Sequence, residues 1–377
     1  MKAGLFSTID PQSPRSWSGL PPFMLRSLQS EMGKVQALVP MTAETARFFY
    51  LLARLDRLRP GFFYPSNLNP LAVRMSRANL RRQLAKHDPD LVFAVTASTL
   101  VAAVPRSIKV VYIADCTFRQ LTNYYASISD LPAAAIRKAE QYEQETIARA
   151  DALIYASDWA ADSAIRDFGA DPAKVTVVPL GANLHSPPAA AFVAPPSKDQ
   201  VSLFLLGVEW QRKGADIAIA AGEELRQRGI NASLTIVGCT PPNGGTLPDW
   251  VTNIPHLSKG RPDQHETLKR LFAEANFFIM PTRAECFGVV FCEAAAYGLP
   301  VIATDTGGVS SAVIDGQTGA LLPPEADGSA YADRIAEILA DPVHYQRLSQ
   351  NARRRFEQSL SWEAWAREVA NVARSLR

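Results

Sequence analysis

One stretch, Phe277 to Gly298, constrains the fold of this chain more than any other. Phe277 to Met280 is a short apolar run ended by Pro281, the pattern of a parallel strand buried on both faces. A polar turn carrying Glu285 follows, and Gly288 then opens an amphipathic helix that bears Glu293. In open α/β sheets ligands bind beyond the carboxyl ends of the strands, where helix N-termini present unpaired N–H groups. Two carboxylates in such a place need hydroxyl donors to face. Helix rise puts them roughly 7–8 Å apart along the axis. They cannot share one atom, but they can grip two ends of one extended ligand rich in hydroxyls.

The same alternation of short apolar strands with helices runs along the whole chain, the sign of parallel sheets. The first half shows strands near Gly4–Ser7, Val35–Val39, Leu91–Val95, Val110–Ile113, Ala152–Tyr155 and Val175–Val178. Helices over Leu131–Arg149 and Trp159–Phe168 are among those that fill the intervals. Pro179 to Lys198 then turns proline- and alanine-rich, which is linker composition. The alternation restarts with strands near Ser202–Leu206, Ser233–Val237, Asn253–Leu257, Phe277–Met280, Val301–Thr304 and Ala320–Leu322. At 377 residues the chain exceeds the length at which one core stops growing, so two domains are expected. The pattern sets them at 1–185 and 201–358, with a linker at 186–200 and a final helical segment at 359–377 that carries Trp362 and Trp365 on one face.

A formal net charge of +2 gives no global argument for nucleic acid. The four cysteines (Cys116, Cys239, Cys286 and Cys292) form no metal-type CxxC pair and read as reduced thiols of a cytosolic protein. Met1 to Ile9 is too short an apolar stretch for a signal peptide. The longest apolar run, Leu91 to Val104, is interrupted by Thr96, Ser98 and Thr99 and falls short of a membrane span. Asp88-Pro89-Asp90 has the Asp-x-Asp spacing of a metal-diphosphate motif, but it precedes a strand and so sits at the wrong end of the sheet. No metal is expected. Between Thr45 and His87, Arg47, Arg54, Arg57, Arg59, Arg74, Arg77, Arg81, Arg82 and Lys86 face a single acid, Asp56, with Phe48, Phe49, Phe62 and Phe63 interleaved. Two readings stay open for this stretch: a face that attracts anionic lipid, and a solvated helix face over buried aromatics.

The spacing Glu285-x7-Glu293, with Phe287-Gly288 between and Gly307-Gly308 after the next strand, resembles the retaining glycosyltransferases of family 4, whose GT-B fold has two Rossmann-like domains. The resemblance is close from Val201 to Pro324 and fair from Lys109 to Gly181. It implies two parallel α/β sheets facing across a cleft, the first domain binding the acceptor, the second binding a nucleotide-sugar, and the terminal helix crossing back to the first domain. It implies that Glu285 contacts the transferred sugar and Glu293 the ribose, while backbone groups of Cys286, Phe287, Gly288 and Val289 complete the donor site. Gly207 ends a strand, and Arg212 and Lys213 then open a helix where the diphosphate should lie. Relatives often place an arginine directly after that strand glycine. Val208 stands there, and Arg212 takes over the guanidinium's task. Ser311 occupies a position where relatives often have glutamate.

In the first half, Ser16, Trp17 and Gly19 belong to a loop resembling one that touches donor phosphates or acceptor. Trp17 either stacks on a sugar or closes a core edge. Asp115 follows the fourth strand, where relatives often carry a His-Asp pair; this chain has Ala114 in place of the histidine. The implied activity is metal-independent transfer of a hexose, with retention, from a UDP-, GDP- or ADP-sugar to a glycan, lipid-linked or small-molecule acceptor. No cofactor and no nucleic acid are implied, and the place is the cytoplasm, including the inner membrane face. A sugar-nucleotide epimerase or phosphorylase on the same fold, and a non-catalytic sugar-nucleotide-binding protein, are the alternatives.

Overall fold

The computed structural model describes residues 1–14, 16–56, 68–122, 124, 125, 128, 131–189, 195–197 and 199–376. Among them, twelve strands form two parallel six-stranded sheets. The chain divides into two compact units, Met1–Pro179 with Trp362–Arg377, and Leu180–Ser361. Arg57, Arg59, Phe62 and Phe63 of the basic stretch, the side chains of Arg54 and Asp56, and part of the proline- and alanine-rich segment lie outside the described residues.

The first unit holds β1 (Ala3–Phe6), β2 (Val35–Ala37), β3 (Leu91–Val95), β4 (Lys109–Ala114), β5 (Ala152–Tyr155) and β6 (Val175–Val177), in the spatial order β2-β1-β3-β4-β5-β6. Around them lie α1 (Leu20–Met32), α2 (Ala43–Asp56), α3 (Pro70–His87), α4 (Ala133–Arg149) and α5 (Asp158–Phe168). Every residue of β3 is buried, as a strand covered on both faces requires. Val92, Val110 and Leu153 share one core with Leu80 and Leu84 of α3 and Ile147 of α4. Asn69 caps α3 by accepting the Leu71 and Ala72 N–H groups, and Pro70 fills its first turn. The Leu91–Val104 run breaks at Thr96, whose φ of 45° turns β3 into a short helical segment, Ser98–Val101. Among the described residues no helix is long and apolar enough to cross a membrane.

The second unit holds β7 (Gln200–Leu206), β8 (Asn231–Val237), β9 (Val251–Ile254), β10 (Phe277–Met280), β11 (Val301–Thr304) and β12 (Gly319–Leu322), in the order β12-β11-β10-β7-β8-β9. Its helices are α6 (Ala215–Gln227), α7 (Pro262–Glu274), α8 (Val289–Ala296), α9 (Gly328–Ala340) and α10 (Pro342–Arg355). Phe278 of β10 pairs with Val301 of β11 on one side and Phe204 of β7 on the other. The strand order reverses between β7 and β10, a topological switch point whose carboxyl end is the ordinary ligand crevice of such a sheet.

Several strand and helix ends differ from the sequence pattern by a few residues, and three of these shifts have a plain local reason. β9 ends at Ile254 rather than Leu257, because Pro255 has no N–H to give the ladder. β2 stops at Ala37, since the Val39 N–H donates to the Gln83 side chain at 2.9 Å. α4 starts after Pro132, not at Leu131.

A last helix, α11 (Trp362–Ser375), packs on α1 of the first unit, as the fold class implied. Trp362 stacks on Phe23 at 6.2 Å and meets Trp365 edge-on at 5.3 Å. Arg374 pairs with Glu31 at 2.9 Å. Trp365 is fully buried, so its truncation should cost about 3–5 kcal/mol, whereas the half-exposed ion pair adds little.

Candidate functional site

β7 is followed directly by Gly207, whose N–H donates to Val237 O at 2.9 Å. A Cβ there would stand 2.8 Å from Cγ of Lys213, so glycine leaves the lysine its path. The chain then turns through Val208, which is exposed, and Glu209, held at φ 70° despite its side chain. A single helical turn, Trp210–Lys213, follows and ends at Gly214. Gly214 has φ 71°, and a Cβ on it would lie 2.0 Å from Pro281 O, so the turn after β7 sits hard against the end of β10.

That contact delivers both cations to the second carboxyl end. Lys213 is buried and forms an ion pair with Glu285, itself buried. Arg212 donates from Nη1 to Ala284 O at 3.1 Å and from Nη2 to Glu209 Oε1 at 3.1 Å, and Nη1 lies 3.7 Å from Glu285 Oε2. The Thr282 hydroxyl and Arg283 N–H both donate to Arg212 O, and Arg283 holds Asp216 of α6 through two bonds of 2.9 and 2.8 Å. Arg212 therefore is not a solvated surface charge. A buried lysine with no carboxylate beside it would be costly, which ties these two turns energetically as well as sterically.

Gly288 caps α8 at φ 85°, and a Cβ there would meet the Phe291 ring at 2.4 Å and Glu285 Cγ at 3.2 Å. The expectation of an amphipathic helix needs correction. From Phe291 to Ala296 every residue of α8 is buried, so it is a core helix that happens to carry a glutamate. The Gly308 N–H donates to Glu285 O at 3.2 Å, which fixes the Gly307-Gly308 turn over the same place. The backbone of Ser311 accepts from Arg355 of α10, a structural duty. Glu293 is buried, and Lys259 closes on its Oε1 as an ion pair. Sequence reasoning missed Lys259. The signal was its place in the segment beyond β9, at the same carboxyl end of the sheet as the two glutamates.

In the first unit Ser16 is buried and its hydroxyl donates to Ser7 Oγ at 3.2 Å, just beyond β1. Ser16–Gly19 forms a tight helical turn; Gly19 needs its φ of 79°, and Trp17 is half-buried at φ 37°. Asp115 follows β4 and accepts from the Cys116 thiol at 3.5 Å. β3 stands between β1 and β4, so Asp115 and the Ser16 turn sit at the ends of strands two apart. Asp88 caps α3 at φ 45° and Asp90 accepts from the Lys2 N–H at 2.7 Å, which gives the Asp-x-Asp spacing a turn's work. Among the described residues no three His, Cys, Asp or Glu side chains gather as a metal site. Burial pushes the Cys292 thiol far up, and it donates to Leu180 O at 3.3 Å.

Both halves of the chain match known proteins. Residues 24–186 match the model of Glycosyltransferase Family 4, and residues 190–355 match that of Glycosyl transferases group 1. The glycogen synthase of Mycobacterium tuberculosis (strain ATCC 25618 / H37Rv) is 31% identical over 244 residues, covering 63% of this chain and 57% of that protein. The D-inositol 3-phosphate glycosyltransferase of Gordonia bronchialis is 30% identical over 237 residues, 59% of this chain and 51% of that one. The chain thus spans little more than half the length of these curated relatives. Among solved structures, a sucrose-phosphate synthase from Thermosynechococcus elongatus superposes with a TM-score of 0.72 at 21% identity, covering 100% of this chain and 99% of that one. The Anabaena protein HepE in complex with UDP superposes at 0.62 with 17% identity, covering 100% of both. With both halves matched and two parallel sheets in place, the chain belongs to the group 1 glycosyltransferases of family 4 and has the GT-B fold.

Proposed function

We propose that the protein moves a sugar from a nucleoside-diphosphate sugar to an acceptor hydroxyl, with retention at the anomeric carbon. The observation that carries this reading is the buried meeting of Lys213, Arg212 and Glu285 at the β7/β10 switch point. As the anomeric C–O bond breaks, negative charge grows on the diphosphate, and preorganised cations lower that cost most where water is excluded. Lys213 and Arg212 are the residues for it. Glu285 accepts hydroxyl hydrogen bonds from the sugar, Glu293 from the ribose, and the N–H groups of Cys286 to Val289 complete the donor site. Retention needs no enzyme nucleophile. The acceptor oxygen bonds to the anomeric carbon on the face the diphosphate leaves, and the departing phosphate oxygen takes the acceptor's proton. Asp115 and the Ser16–Gly19 turn are assigned to the acceptor side. Binding of UDP by the Anabaena neighbour supports a nucleotide donor.

The discriminating experiment offers UDP-, GDP- and ADP-sugars in a thermal-shift panel, where a ligand at about 100 times its Kd adds roughly 2.7 kcal/mol. Turnover is then followed with and without acceptor. Product without acceptor means an epimerase, a requirement for inorganic phosphate means a phosphorylase, and binding without turnover means a sugar-nucleotide-binding protein. Any of these replaces the transferase.

A second observation bears on the acceptor and on a cytoplasmic site at the inner membrane face. Phe48, Tyr50 and Leu51 on α2 and Leu71 and Met75 on α3 are exposed, at 48–60%, beside exposed Arg47, Arg74, Arg81, Arg82 and Lys86. Phe49 is buried against Met41 and Ala72, which joins the two helices. Exposed apolar side chains among cations suit an anionic bilayer better than a merely solvated face, and this supports a lipid-linked acceptor. Arg77 drops out of that face: it donates to Thr99 O at 2.7 Å and stacks on Tyr142 at 5.0 Å.

A further inference from the structure

Glu293 is 3% exposed, and only its Oε1 meets a cation. Its Oε2 accepts no hydrogen bond from a described residue. Lys259 spends one of its three N–H donors on Oε1; the other two meet no acceptor among the described residues, and the side chain keeps 36% of its exposure. The pair therefore presents an acceptor and a donor next to each other, with the open side at the lysine. Lys259 is held there by its own turn. The Ser258 N–H donates to Gln264 Oε1 of α7 at 2.7 Å, the Gly260 N–H to Ser258 Oγ at 3.3 Å, and the Arg261 N–H to Ser258 O at 3.1 Å. Burial, then the charge of Lys269, holds His265 of α7 below its ordinary value, so its ring is uncharged at neutral pH and leaves Lys259 as the cation on Glu293. Tyr297, pushed up to about 12 by burial and then by Glu293, remains a phenol.

A hydroxyl group is both a donor and an acceptor, whereas a carboxylate only accepts. A ribose hydroxyl gripped by Glu293 alone would have its lone pairs stripped of water and left without a donor. We infer that Lys259 supplies that missing half, so that Lys259 and Glu293 together read a ribose hydroxyl as a hydroxyl and reject 2′-deoxynucleotides. Lys259 is then a specificity residue of the donor site. The inference rests on Glu293 taking the nucleoside end of the donor.

The test is calorimetric titration of the full chain with UDP, GDP and ADP and with their 2′-deoxy forms, for wild type, Lys259→Met and Lys259→Arg. Wild type should bind its preferred diphosphate about tenfold or more tightly than the deoxy form, the range expected when a site's charged partner loses its hydroxyl. Lys259→Met should shrink that ratio below about threefold, by weakening the ribose form, and Lys259→Arg should restore most of it. A lysine that serves only the fold would lower both forms alike. An unchanged ratio in Lys259→Met, or one that Lys259→Arg fails to rescue, overturns the inference while leaving the transferase reading intact. Wild type that binds no nucleoside diphosphate overturns the transferase reading itself, and this inference with it.

Discussion

Both sheets bury glutamates near their carboxyl ends, and the two treat them differently. In the second unit Glu285 and Glu293 each meet a lysine brought in from another loop. In the first unit Glu143 of α4 is as deeply buried, accepts the Phe118 N–H at 3.3 Å, and leaves Oε1 without a partner among the described residues. Burial pushes its carboxyl up to about 8, against the smaller opposing pull of Phe118 and Tyr112. One unit pairs its buried carboxylates with cations and so has charged groups to offer a ligand. The other keeps a proton on the carboxyl and has a packing piece.

The largest expected effect tests the paired side. Glu285→Gln should lower transfer by about a hundredfold or more, the range seen when a group stabilising a transition state is lost. Glutamine keeps an oxygen beside Lys213, so a loss of folding does not confuse the result. A variant that holds more than about a third of the rate removes Glu285 from the chemistry. Next come Lys213→Met and Arg212→Ala, each expected to weaken the free nucleoside diphosphate, by about tenfold for the lysine and less for Arg212, whose Nη groups already serve Ala284 and Glu209. Calorimetry decides it; undiminished binding by Arg212→Ala makes that guanidinium a loop brace.

Glu143→Gln sharpens the comparison from the other side. A carboxyl raised from 4.5 to about 8 on folding binds its proton more tightly in the native state, so its stabilising contribution is full below about pH 4.5 and is lost as pH rises through 8. Urea midpoints at pH 5, 7 and 9 should fall more steeply for wild type than for Glu143→Gln, with the variant ahead by a few kcal/mol at pH 9. Parallel curves would mean the carboxyl is not held neutral. The smallest effect is expected at the α2/α3 face. Flotation with anionic vesicles should fall a few-fold for Phe48→Ser with Leu51→Ser and for Arg81→Ser with Arg82→Ser, and the arginine pair should lose its effect at high salt, where exposed charges are screened beyond about 3 Å at 1 M. Equal recovery of all three proteins makes a soluble acceptor the better reading.

Much of this was visible in the order of residues. Buried parallel strands write themselves as short apolar runs, so each of the twelve strands has its segment in the sequence pattern, with several ends displaced by a few residues, two of them by proline geometry or a side-chain bond. Glu285, Glu293 and Lys213 stand out because each lies within a strand, turn and helix contiguous in the chain. Lys259 does not, since it reaches Glu293 across 34 residues from a turn with no periodic signature. Glu143 did leave a trace. It falls on the apolar stripe Ala135, Ala139, Tyr142, Thr146 and Ile147 of α4, where a glutamate is out of place. Glu209 at positive φ left none, for nothing about a Val-Glu-Trp sequence asks for a left-handed residue.

The packing of α11 on α1 has a consequence in time. Glu31 and Arg374 are 343 residues apart, yet they belong to one unit, while Leu180–Ser361 is contiguous. A ribosome delivers the chain from its amino end. The first unit is therefore begun before Leu180–Ser361 and completed only after it, and Phe23 of α1 waits for Trp362 until the whole of the second unit has been made. Stalled nascent chains ending before Trp362 should thus show the second unit resistant to protease and α1 still cleavable, and protection of both at that length would show that α1 is secured without its partner helix.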